Sequence, residues 1–223
     1  VRRIYKTRSV SQKTYHRLEA AILRRELEPG ASLVINELAI ELGVSRTPVK
    51  EALLLLERAG LVANDDGRIT VARLSLTDLE EVFEVREAVE LFALTKVAQS
   101  GLGAPLEALY DALAAHRQPV GDDGARTAFE LDLRFHRGLV VATGNARLLA
   151  IWDKSATELR RFWNDGVGSL TRIAADIDEC IGVLDALRIG DEAGASYVLV
   201  RHLEQTKQAL AAWQREQGAV PSV

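Results

Sequence analysis

The stretch from Asn36 to Leu61, N-E-L-A-I-E-L-G-V-S-R-T-P-V-K-E-A-L-L-L-L-E-R-A-G-L, constrains the fold more than any other part of the chain. Leu38, Ala39 and Leu42 fall on one helical face, and Gly43 follows where a left-handed residue ends a helix at least cost. Ser45 stands where the cap of a second helix is expected. Pro48 then falls in the first turn of that helix, where a missing N–H costs nothing. Val49, Ala52, Leu53 and Leu56 repeat at helical spacing and are expected to pack on the first helix, which turns Arg46, Thr47 and Lys50 toward solvent. Two helices joined by a tight turn are the expectation.

A helix that enters a DNA major groove by its N-terminal end presents first-turn side chains to base edges and its free N–H groups to phosphate. Arg46 can make a two-pronged contact to guanine, Thr47 can bond a base or a phosphate, and Lys50 one turn later can reach either. The plainer alternative is a capped surface helix with ordinary charges, since this shape also occurs in proteins that never touch DNA.

The segments G-V-S-R-T-P-V-K-E-A-L and E-R-A-G-L-V resemble the winged helix-turn-helix signature of the GntR family of bacterial transcription regulators, over about the first third of the chain. The resemblance implies binding of double-stranded DNA as a homodimer. The family usually carries Arg where this chain has Lys50. The substitution keeps the charge but loses the planar fork, which favours a phosphate contact there over base readout.

At 223 residues the chain can hold two modest domains without disulfides. No apolar run approaches a membrane span and no signal peptide opens the chain, so no membrane partner and a cytoplasmic location are expected. Met is absent and the numbering opens at Val1, so the native start is expected upstream. Residues 1–73 carry 13 Lys and Arg against 9 Asp and Glu, and residues 74–223 carry 15 against 23, giving net charges of +4 and −8. A basic front and an acidic back suit a DNA-binding module joined to a regulatory one, although chance could produce such an asymmetry. Cys180 is the only cysteine and cannot form an internal disulfide.

Residues 1–73 are read as the winged helix-turn-helix domain. Arg2, Arg3, Lys6 and Arg8 form a basic arm expected to be ordered only by DNA. A first helix is expected from Ser11, with Tyr15, Leu18, Ile22 and Leu23 inward, ending at Pro29-Gly30. Arg17, Arg24 and Arg25 could face phosphate or form a solvated face. Leu61–Ala63 and Arg68–Ala72 flank the turn Asn64-Asp65-Asp66-Gly67 and predict a two-stranded wing. Gly67 and Arg68 match the family's wing tip, whereas Asp65 and Asp66 would repel phosphate.

Residues 74–223 are read as an all-helical antiparallel bundle. A capping box is expected at Thr77–Glu80. Six helices are predicted, near 77–99, 105–117, 125–142, 146–163, 170–187 and 191–214, with breaks at Gly101, Gly103, Gly121, Gly144, Gly166 and Gly190. The fold class is therefore mostly α. Asp132 and His136 stand four residues apart on one helical face and can address one object, although a buried His bonded to a nearby carboxylate is the commoner arrangement.

The segments D-L-R-F-H, T-G-N-A-R-L-L, L-R-I-G-D and R-H-L resemble the FCD ligand-binding domain of the FadR subfamily. Many members hold a divalent metal with an Asp, a His one turn later and one His from each of the last two long helices. Asp132, His136 and His202 match three of these positions, and Cys180 occupies the fourth. An Asp, two His and one Cys make a sensible tetrahedral set for zinc. Two readings stay open: the metal binds and anchors a small organic acid, or the change to Cys marks a lineage without metal, with Cys180 a buried apolar residue.

Arg86 matches an arginine that the family places near its ligand cavity, where a carboxylate would partner it; an ion pair with Glu90 is the alternative. Asn145 matches the family's Asn at a helix link and could line the cavity or cap the next helix. His116 is expected at the surface. The resemblance thus implies a DNA-binding regulator, most often a repressor, that sits on a palindromic operator and answers to a small carboxylate effector. Alternatives are a metal or redox sensor acting through Cys180, or a metal-dependent hydrolase. The hydrolase is disfavoured because four ligands leave no position for an activated water and no H-E-x-x-H is present.

Overall fold

Ser9 and Gln12 close a reciprocal capping box, and α1 (Val10–Leu23) starts behind it, one residue ahead of the expected Ser11. The computed structural model describes residues 9–73, 75–119, 121–164 and 170–218, with backbone alone for 122, 161–164, 170, 171 and 216–218. The basic arm and Gly166 lie outside the described residues. The chain divides into two compact units, Val1–Leu74 and Ser75–Val223.

In the first unit α1 buries Thr14, Leu18, Ala21 and Ile22, while Tyr15 and Leu23 are half-buried. The helix stops at Leu23 rather than running to Pro29-Gly30, because Arg25 takes a left-handed φ of 57° that no helix continues through. α2 (Ile35–Glu41) and α3 (Arg46–Arg58) follow, joined through Gly43 at φ 63°. Leu38, Ala39, Val49, Ala52, Leu53 and Leu56 are all buried and share one core with Leu18, Ile22, Leu61 and Val71. Ser45 occupies the N-cap position of α3 with extended backbone, but its side chain makes no cap hydrogen bond.

β1 (Val62–Asp65) and β2 (Arg68–Val71) pair antiparallel, with Asp65 opposite Arg68. Asp66 at φ 51° and Gly67 at φ 89° form the two-residue loop, whose positive φ values match the twist of the strands. Residues 30–33 add a short stretch to β2 through Gly30 N–H to Val71 O and Leu33 N–H to Ile69 O, both 2.8 Å, which has no counterpart in the sequence reading.

In the second unit the described residues form α4 (Leu76–Ser100), α5 (Ala104–Ala114), α6 (Gly121–Ala142), α7 (Ala146–Asn164), α8 (Leu170–Arg188) and α9 (Glu192–Gly218). The capping box lies two residues before the expected Thr77: Ser75 accepts from Asp78 N–H at 3.1 Å and Asp78 accepts from Ser75 N–H at 2.7 Å. Aspartate at the third helical position is short, but it closes the box as the expected Glu would. Gly121 opens α6 rather than separating helices. α4 packs against α6, α7 and α9, and α8 lies against α6 and α9. Phe83, Phe135, Trp152, Ile177, Leu184 and Leu199 are buried between them. No helix among the described residues is long and apolar enough to cross a membrane.

Candidate nucleic-acid interface and candidate metal centre

α3 is held by its buried stripe, and the residues one to three positions off that stripe must face outward. Ser45, Arg46, Thr47 and Lys50 are exposed at its N-terminal end, as are Gly67 and Arg68 at the wing. Asp65 and Asp66 are exposed beside them and place negative charge at the hairpin tip. Arg17 and Arg24 are exposed, each 3.9 Å from Glu26, separations typical of weak surface pairs.

The second unit brings four expected ligands together. Asp132 and His136 come from α6, Cys180 from α8 and His202 from α9, and one ligand atom of each lies within 4.8 Å of the others. They are buried, with relative exposures of 5, 0, 1 and 2%. Asp132 Oδ1 is 3.5 Å from Nε2 of both histidines and accepts from Cys180 Sγ at 3.3 Å. The two Nε2 atoms are 2.9 Å apart.

Behind each imidazole stands a carboxylate. His136 Nδ1 is 2.5 Å from Glu90 Oε2, and His202 Nδ1 is 3.1 Å from Glu179 Oε2 and 3.5 Å from Asp176 Oδ1. A carboxylate at Nδ1 fixes the hydrogen there and leaves Nε2 of a neutral ring as an acceptor. Two acceptors at 2.9 Å repel unless a cation, a proton or a metal ion, lies between them. The donor set therefore fits a metal ion.

The charges agree. Burial disfavours the charged form of His136, but Glu90 and then Asp132 overcome this against the opposing charge of Arg86, and its pKa rises to about 8. Burial likewise works against ionised Glu90, yet Arg86 and His136, with hydrogen bonds from His136 and Trp152, bring it down to about 2. Asp132 is also held below the usual carboxylate range, against its burial, mainly by His136 and His202. Burial, followed by the Asp132 carboxylate, pushes the Cys180 thiol well above its ordinary value. Without metal Cys180 is a thiol that donates to Asp132.

Arg86 is 1% exposed, and its Nε donates to Glu90 Oε1 at 2.9 Å, so the ion pair left open by the sequence forms. Arg86 Nη2 is buried and has no hydrogen-bond partner among the described residues. Asn145 is exposed, and its Oδ1 accepts from the N–H groups of Arg147 and Leu148 at 3.0 and 3.3 Å. Asn145 thus makes the cap, one of its two open roles. His116 is half-buried, with Nδ1 2.8 Å from Ala112 O.

Sequence reasoning did not find the carboxylates at Nδ1 or Trp152, which donates to Glu90 Oε1 at 2.7 Å. Asp176 stands one turn before Cys180 on α8, a spacing that would have pointed to it. Asp176, Glu179 and His202 form a second acidic group, but Arg172 supplies the cation there, its Nη2 lying 2.6 Å from Asp176 and 2.7 Å from Glu179.

A winged helix-turn-helix with an exposed basic reading helix, joined to a helical unit with a buried polar centre, defines a DNA-binding transcription regulator. Residues 10–71 match the bacterial regulatory proteins of the gntR family, and residues 81–205 match the FCD domain. An HTH-type transcriptional regulator in an unstable DNA locus of Streptomyces ambofaciens is 33% identical over 85% of this chain and 80% of its own. A probable D-xylose utilization operon transcriptional repressor of Paenarthrobacter nicotinovorans is 30% identical over 82% of this chain and 80% of its own. The fold is that of a GntR-type regulator from Rhodococcus sp. RHA1, with a TM-score of 0.75 at 22% identity over 92% of this chain and 98% of that one. The chain belongs to the GntR family and carries an FCD domain; these are transcription regulators, not enzymes.

Proposed function

We propose that the protein is a repressor that binds a palindromic operator as a homodimer and is released by a small organic acid, bound in the helical unit beside a zinc ion held by Asp132, His136, Cys180 and His202. The observation that carries this reading is the convergence of four buried donors on one point, with a carboxylate behind each histidine. A relative named as an operon repressor supports the sign of the response. When bound, zinc supplies a Lewis-acidic centre able to take an effector carboxylate. Arg86 offers the uncommitted N–H groups of Nη2 to the same anion, while Glu90 keeps the guanidinium in place. Arg46, Thr47 and Lys50 of each subunit read successive major grooves, and Gly67 and Arg68 approach the flanking backbone.

Direct sensing of an oxidant by Cys180 is less well supported. A thiol buried to 1% exposure with a raised pKa holds little of the reactive thiolate.

The test is elemental analysis of the untagged protein beside Cys180→Ser, followed by operator gel shifts with zinc and a panel of small organic acids. Near-stoichiometric zinc in the parent and a clear loss in the variant are expected. No metal in either protein after refilling with zinc would sink the metal reading and leave Arg86 as the effector's anchor.

A further inference from the structure

At the wing the charge of the reading unit changes sign. Residues 1–73 are net +4, yet residues 62–71, which form the hairpin, carry Asp65 and Asp66 against Arg68 alone. Asp65 stands opposite Arg68 in the register of β1 and β2, so these two charges offset each other across the strands. Asp66 then sets the net charge of the exposed apex.

The hairpin presents that charge from a fixed place. Val62 and Val71 anchor its strands in the core of the unit, and the N–H groups of Gly30 and Leu33 donate to Val71 O and Ile69 O from the other side. Asn64 Oδ1 accepts from Gly67 N–H at 3.1 Å, which closes the loop around Asp66 at φ 51°. The hairpin also adjoins the reading helix. A cleft of about 260 Å³ has Lys50, Leu53 and Leu54 of α3 on one wall and Val62, Asn64 and Ile69 of the strands on the other. With the N-terminal end of α3 in a major groove, a hairpin beside it reaches across the neighbouring row of phosphates to the adjoining minor groove.

The minor groove is about 6 Å wide and narrows further in A-tracts, where its negative potential is enhanced and draws in Arg and Lys. A carboxylate meets the opposite response and is repelled most where the groove is narrowest. A G·C-rich groove lacks that enhancement and displays the guanine amino group, a donor that a carboxylate can accept from. We propose that Asp66 is a specificity-determining residue that makes the wing reject A-tracts beside each half-site and admit G·C-rich flanks, so that operator sequence is read at positions α3 does not touch. This inference rests on the reading that places the wing beside flanking DNA, and it is independent of metal and effector.

A duplex selected by the full chain from a random pool supplies the test, its central sequence kept and its flanks rebuilt either as A-tracts or as G·C-rich steps. Anisotropy titrations at low and high salt compare the parent with Asp66→Asn and Asp66→Gly, both neutral and both suited to φ 51°, and with Arg68→Ala. The parent is expected to bind the A-tract duplex about three- to tenfold more weakly at low salt, a difference that shrinks as salt screens the charge. Both neutral variants are expected to lose the preference by gaining affinity for the A-tract duplex. Arg68→Ala is expected to weaken binding to both duplexes by about two- to fivefold and to keep the preference. A parent without a preference, or with one for A-tracts, overturns the role of Asp66, as does a preference that survives in either neutral variant. If Arg68→Ala still weakens binding in such a case, the wing lies on DNA and the role of Asp66 alone falls. If no variant alters binding to either duplex, the placement of the wing beside DNA falls with it.

Discussion

The carboxylate of Glu90 receives Arg86 Nε and Trp152 Nε1 on one oxygen and faces His136 Nδ1 with the other, so one buried group orients both the proposed effector anchor and a proposed metal ligand. Its charge is also the largest influence raising the pKa of His136. In the metal-free protein the raised pKa of His136, about 8 against an ordinary 6.5, contributes stability that is fully present below 6.5 and lost as pH climbs through about 8. A zinc ion held as proposed would have to displace that proton and the Cys180 thiol proton together. Below about pH 8, binding is therefore expected to release about two protons per ion, so that affinity falls roughly a hundredfold for each unit of acidification. Glu90→Gln removes the main support of the imidazolium, and proton release at neutral pH should drop toward one while affinity weakens by about ten- to a hundredfold. Calorimetry in buffers of differing ionisation enthalpy counts the protons. An equal count in parent and variant would break the link between Glu90 and His136. Arg86 and Glu90 were legible as an i,i+4 pair, but the reach of Glu90 to His136 and Trp152, 46 and 62 residues away, leaves no local trace in the sequence.

Among the elements, α3 follows closely from its sequence because every local preference agrees with its tertiary packing. Gly43 takes the left-handed turn, Pro48 falls in the first turn, and Val49, Ala52, Leu53 and Leu56 build one buried stripe. The start of α4 was harder to read, since Thr77 and Glu80 satisfy the same capping pattern that Ser75 and Asp78 adopt. The added stretch at residues 30–33 is held by backbone hydrogen bonds to β2, which carry no side-chain signature. For function, the contrast within α3 is between Arg46 and Lys50. A guanidinium at the helix N-terminus suits two-pronged readout of guanine, whereas an ammonium one turn later is a point charge for phosphate. Arg46→Ala is expected to cost about 1–3 kcal/mol per half-site and to relax discrimination at one base pair. Lys50→Ala should weaken cognate and non-cognate DNA alike and reduce the salt slope of binding by about one per subunit. Binding titrations on single-base operator variants at several salt concentrations separate the two, and a base-specific loss at Lys50 would reverse this assignment.

Across the whole molecule, the net charges of +4 in residues 1–73 and −8 in residues 74–223 confine attraction for DNA to the reading unit. The proposed control works at the same scale, because in the proposed homodimer one subunit's reader contacts only half of a palindrome. If the organic acid acts by changing how two readers are paired, each reader keeps its own affinity and only simultaneous engagement suffers. An acid selected by its thermal stabilisation of the zinc-loaded protein should then weaken binding to the full palindrome by about 5- to 150-fold, the usual range of such coupling, and leave binding to an isolated half-site unchanged. Linkage requires the converse. The full operator must weaken acid binding by the same factor, while the half-site must not. Fluorescence anisotropy on both DNAs, with and without the acid, measures all four constants. Equal loss on the half-site and the palindrome would place the effect inside the reading unit and remove the pairing of subunits from the mechanism.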